Sequence, residues 1–116
     1  MVARRSFWVD GRTELQVELA DSFLSRFLGL MGRSALPAGQ GLLLVPCNSV
    51  HMCFMRFSVD VVYIDRAYRV KKVARGLRPW LGLSFCPGAW GALELAAGEA
   101  ERLGIEKGSL LRRCDV

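Results

Sequence analysis

The sequence has no apolar run near the ~20 residues that a membrane-spanning helix requires. The run Gly41 to Val45 has the length of a strand. The basic pair Arg4-Arg5 is followed within a few positions by Asp10-Gly11, with no apolar segment of the kind that marks a secretion signal. A cytoplasmic location is therefore expected. The four cysteines, Cys47, Cys53, Cys86 and Cys114, form no C-x-x-C pair, so neither a zinc ribbon nor a disulfide framework is indicated. Buried apolar thiols are the ordinary role for such residues. There is a single histidine, His51. The chain also lacks a G-x-S-x-G elbow, a phosphate-binding loop and a dinucleotide fingerprint, and no cofactor is expected.

What remains is an ordinary globular composition. Of 116 residues, 52% are apolar and 23% charged, which suits one domain with a self-sufficient core. The net charge of +5 is unevenly spread. Arg66, Arg69, Lys71, Lys72, Arg75 and Arg78 follow one another with no acidic residue between them. Such a stretch either meets an anionic partner or guards a sheet edge against aggregation. No recognition motif or series of stacking aromatics accompanies it, so nucleic acid is not the expected partner. A small ligand or a protein is.

Strand signals dominate the order of the chain. Asp10-Gly11 suits a tight turn between strands at 6–9 and 13–19, and Leu15, Val17 and Leu19 alternate with Glu14, Gln16 and Glu18. Asp21 can cap a helix reaching Leu30, with an apolar stripe from Phe23 to Met31 and Gly32 as its stop. Further strands are expected at 42–45, 50–57, 59–64, 68–74, 90–95 and 109–114. A long irregular connection occupies 78–89, and a short helix 97–103. The resulting fold class is mainly β, a β-sandwich or open barrel of about seven or eight short strands with one or two short helices.

Several motifs resemble a known family in the same order. Arg26-Phe27-Leu28-Gly29-Leu30-Met31, Gly41-Leu42-Leu43-Leu44, the stretch from His51 to Asp65, Leu93-Glu94-Leu95 with Ala97-Gly98, and Gly104-Ile105 with Lys107-Gly108 are similar to the elements of the family called domain of unknown function 192. The resemblance covers about residues 15–114. Phe54 stands where many relatives carry tryptophan, and Ser109 where aspartate is common. The resemblance implies a small, mostly β fold and brings no activity with it.

Three constellations could carry chemistry. If 49–57 is one extended strand, Ser49, His51, Cys53, Met55 and Phe57 share a face. His51 and Cys53, with Cys47 or Met55, would then offer soft-metal ligands for zinc or copper. Core sulfur beside a hydrogen-bonded histidine is the simpler expectation, and no metal is expected on balance. Second, Asp60 and Glu94 lie inside apolar runs and need partners if buried, for which Arg26 and Arg56 are candidates. They form either a polar cleft, with Asp60, Glu94 and His51 as catalytic groups and an arginine for an anionic substrate, or a structural network. Third, Trp80, Phe85 and Trp90 cluster around a proline- and glycine-rich loop. Trp90 is read as core, and Trp80 as either core or ligand contact. A non-catalytic ligand- or protein-binding domain is the reading preferred from these residues, ahead of a small enzyme or a metal-binding module.

Overall fold

The structure, a computed structural model, describes residues 3–22, 30 and 33–114. Among the described residues, nine strands run in the order β1 (Ala3–Val9), β2 (Thr13–Ala20), β3 (Gln40–Leu44), β4 (Ser49–His51), β5 (Val59–Ile64), β6 (Val70–Leu77), β7 (Leu83–Phe85), β8 (Gly91–Ala96) and β9 (Leu111–Arg113). One short helix, α1 (Glu99–Arg102), lies between β8 and β9. Seven strands form one curled, half-barrel sheet in the order β6-β5-β8-β3-β2-β1-β9, and β4 pairs with β7 as a separate two-stranded ribbon. All neighbours in the large sheet are antiparallel except β2 and β3. The mainly β class is as expected, in its open-barrel form.

Strand alternation gives the sheet two covered faces. On one, Leu15, Val17, Leu43, Val62, Ile64, Leu93 and Leu95 pack under Ala100, Leu103 and Ile105 from α1 and the turn after it. Trp90 packs against this core, in its expected role. On the other, Leu42, Leu44, Val59, Val61, Tyr63 and Ala92 pack under Val50, Met52, Met55 and Cys86 from the ribbon and its turns. These are the helix face and the ribbon face below.

The Asp10-Gly11 turn has φ of 50° and 69°, the left-handed pair that a tight hairpin needs. The central stretch differs from expectation. Extended structure ends at His51, because both sides of Met52 are drawn into a neighbouring turn: Met52 N–H donates to the Gly82 carbonyl at 3.0 Å and its carbonyl accepts Trp80 N–H at 2.7 Å. Met55 N–H then turns back to the Met52 carbonyl at 3.2 Å. Alternation cannot continue through such a turn, so Met52 and Met55 are both buried and Cys53 and Phe54 both exposed. The connection 78–89, read as irregular, contains β7 because it supplies this partner strand. The expected helix from Asp21 falls almost wholly outside the described residues, as does Arg26.

Candidate functional site

Asp60 and Glu94 occupy adjacent strands, but the register sets them back to back. Asp60 lies opposite Leu95 and Glu94 opposite Val61, a one-residue offset that sends their side chains to opposite faces. Asp60, 1% exposed, is on the helix face. Its Oδ1 accepts Gly76 N–H at 2.9 Å, and its Oδ2 accepts Gly98 N–H and Ala100 N–H, each at 3.0 Å. The carboxylate thus closes the start of α1, where Gly98 at φ 91° has no side chain of its own to do so. Its partners are backbone N–H groups of β6 and of the start of α1. The expected pairing with Arg56 does not occur, for Arg56 is exposed on the turn after β4.

Glu94, 4% exposed, lies on the ribbon face. Burial pushes its carboxyl up to about 7, with the positive charge of Arg33 pulling against that shift. Arg33 is shared: its Nη2 donates to Glu18 Oε2 at 3.0 Å, while Arg4 reaches Glu18 Oε1 at 3.4 Å. Glu18 and Glu94 flank Leu42 from either side in the sheet, which puts both acids in one transverse row. Nearby, the hydroxyls of Tyr63 and Ser84 are buried, and among the described residues neither completes a hydrogen bond of good geometry. Burial raises the Tyr63 pKa. Ser84 is close enough to oppose the shift, and Cys47, Cys86 and Glu94 add to it.

His51, Cys53 and Met55 do not share a face. His51 is exposed on the ribbon's outer side and its Nδ1 accepts Cys53 N–H at 3.3 Å. Met55 is buried in the core, and Cys47 Sγ lies 3.1 Å from the Ser49 carbonyl oxygen. Among the described residues, no three His, Cys, Asp or Glu side chains come together as a metal site would require. His51, Asp60 and Glu94 stand on three separate surfaces, so no single cleft gathers them.

The outward side of the ribbon is different in kind. Phe54, Trp80, Leu81, Leu83 and Phe85 are each more than half exposed, with Leu81 reaching 79%. Phe54 and Trp80 have ring centroids 4.8 Å apart. Both hold positive φ, 64° and 68°, a conformation costing a side-chain-bearing residue roughly 1–2 kcal/mol. The two turns that carry them are bound together by the Met52, Trp80 and Gly82 backbone hydrogen bonds. A Cβ on Gly82 would sit 2.6 Å from Met52 Cγ, so only glycine lets the turns close to this distance. Arg56 and Arg78 flank the aromatic pair, both exposed, and Lys72 Nζ donates to the Phe85 carbonyl at 2.7 Å. Of this platform, Trp80, Phe85 and Arg56 carry a signal in the sequence, as does Arg78 at the end of the basic stretch; Leu81 and Leu83 carry none beyond their place in the loop.

A family model described as DUF192, Uncharacterized ACR, COG1430, matches residues 6–113. The chain belongs to this family. A DUF192 chain it therefore is, of a family described as uncharacterised. The UPF0127 proteins of Pyrococcus horikoshii and Pyrococcus furiosus are 38% and 35% identical over 72 and 71 residues. These matches take in 58% and 57% of this chain, and the chain spans only 60% and 59% of the length of those relatives. A crystal structure from Sinorhizobium meliloti 1021, described as a "putative transcription regulator", superposes with a TM-score of 0.88 at 24% identity, covering 97% of this chain and 95% of that one. A protein of unknown function from Novosphingobium aromaticivorans superposes with a TM-score of 0.83, also at 24% identity, over 96% of this chain and 84% of that one. At that identity, the likeness concerns the fold alone.

The DUF192 motifs fall on the frame more than on the platform. Asp60 in the central signature and Gly98 in the later one are joined by a hydrogen bond, and Leu93-Glu94-Leu95 forms the middle of β8. Trp80 and Leu81 lie outside those motifs.

Proposed function

We propose that the chain acts as a single, non-catalytic recognition domain of the cytoplasm that binds a partner surface through the outer side of the β4–β7 ribbon. One observation carries this reading: five large apolar side chains are exposed on the ribbon and its two hydrogen-bonded turns, two of them, Phe54 and Trp80, held at positive φ. Contiguous apolar surface of this kind on a soluble fold marks interaction sites, and strain persists where surrounding structure is arranged to hold it. The separation of Asp60, Glu94 and His51 supports binding over a shared catalytic cleft. The absence of a disulfide among the cysteines fits a reducing compartment.

Photo-crosslinking in the native host tests the reading. A photoreactive residue at Leu81 is expected to give adducts, to protein or lipid, that Trp80→Ser abolishes. The same residue at Glu101, exposed on α1, is the control. Equal labelling at the two positions, or none at Leu81, would sink the proposal.

Glu94 supports a second reading. A buried carboxyl titrating near neutrality, with Arg33 and Tyr63 close by, suits a general acid or base for a small ligand reaching the ribbon face. A metabolite screen by thermal shift would reveal it as a stabilising hit that Glu94→Gln eliminates.

A further inference from the structure

The platform and its surroundings combine two chemistries that a protein groove rarely needs together in this form. The apolar side chains stand out from the surface, with Phe54 63% and Trp80 58% exposed at the tips of two adjoining turns. Arg56 and Arg78, both exposed and each two residues from an aromatic tip, bring positive charge beside it. Beyond Phe85, a groove of about 600 Å³ is lined in part by Lys71, Lys72, Arg75 and Lys107, with Glu106 as its acid. No acidic residue lies between Arg66 and Arg78 in the chain.

We infer that this end of the molecule docks on an anionic lipid surface, with Trp80, Leu81 and Phe54 entering the headgroup region and the flanking arginines and lysines meeting lipid phosphates. The inference rests on the recognition-face reading and gives that face its partner. Tryptophan favours the boundary between water and acyl chains, because its ring is apolar and its N–H remains solvated. Apolar insertion alone holds a protein weakly, and so does a basic patch alone; the pair gives stable, reversible attachment. A second copy of this chain would bring like charge against like. An extended peptide would be expected to settle in a groove between side chains, whereas these side chains protrude.

Sedimentation of the intact chain with vesicles tests this directly. Binding is expected to phosphatidylcholine vesicles containing phosphatidylglycerol and to be at least about tenfold weaker with phosphatidylcholine alone. It should also weaken by about tenfold or more between about 0.05 M and about 0.5 M salt. The double variant Trp80→Ser/Leu81→Ser, checked for an unchanged circular dichroism spectrum, is expected to lose about tenfold or more in affinity. Brominated lipid should quench tryptophan emission in the native protein, and Trp80→Phe should remove most of that quenching while preserving sedimentation. Failure to bind the anionic vesicles at low salt overturns the inference. So does binding that the double variant leaves intact, which would be ionic adsorption only. Crosslinks from Leu81 to a protein, without vesicle binding, would overturn the lipid assignment and leave the recognition face standing.

Discussion

Asp60 and Glu94 lie on neighbouring strands, offset by one register position, and face opposite sides of the sheet. That offset separates two acids that look alike in sequence. One is saturated by three backbone hydrogen bonds; the other is desolvated, its pKa pushed up to about 7.

Asp60→Ala should destabilise the fold by about 3 kcal/mol or more, since hydrogen bonds to a charged acceptor contribute strongly and their buried donors would be left unmatched. Urea unfolding measures the loss. A cost below about 1 kcal/mol would show that the carboxylate does not hold α1 in place.

Glu94 predicts a pH dependence. Its folded pKa of about 7 exceeds the ordinary 4.5, so between these values the native state keeps a proton that the unfolded chain has released. Stability is therefore highest below the unfolded value, falls as pH rises through this window and levels off above about 7. The whole decline amounts to about 3 kcal/mol. Glu94→Gln should remove the slope, matching the native protein near pH 5 and exceeding it near pH 8 in urea titrations. A slope unchanged in the variant would assign the titration elsewhere.

Platform and core should respond differently to truncation. Phe54→Gly relieves left-handed strain of roughly 1–2 kcal/mol while adding unfolded-state entropy and losing one ring contact. Its stability should thus stay within about 1 kcal/mol of the native chain. Met52→Ala, beneath the same turns and fully buried, should cost about 2–5 kcal/mol. Thermal unfolding of the two variants compares them, and an equally large loss at Phe54 would recast it as a core residue.

Thiol accessibility should separate Cys53 from Cys86. Cys53 is exposed and should be alkylated in the native state, whereas buried Cys86 should react only on unfolding. Mass spectrometry after brief iodoacetamide treatment reads both sites. Rapid native labelling of Cys86 would show that the ribbon opens.

Much of the frame could be read from the chain. The Asp10-Gly11 turn and the alternation of Leu15, Val17 and Leu19 placed β1 and β2, and the apolar run at 59–64 placed β5, because these signals act over a few residues. Glu18 shows where local reading stops. It alternates as a solvent-facing residue, yet at β2's place inside the sheet it bonds Arg33 in the row that includes Glu94. The supposed strand 50–57 fails for a related reason: its composition favours extension, but hydrogen bonds from the distant 78–82 turn capture Met52.

The sequence by itself determined a mainly β chain, the family to which it belongs, and which acids were too deeply placed in apolar runs to stand without partners. Only the tertiary structure decided that Asp60 serves α1, that Glu94 faces the other way, and that Phe54 meets Trp80. Periodicity sets which side of its own strand a residue takes. Which strand lies alongside, and in what register, depends on contacts between segments far apart in the chain.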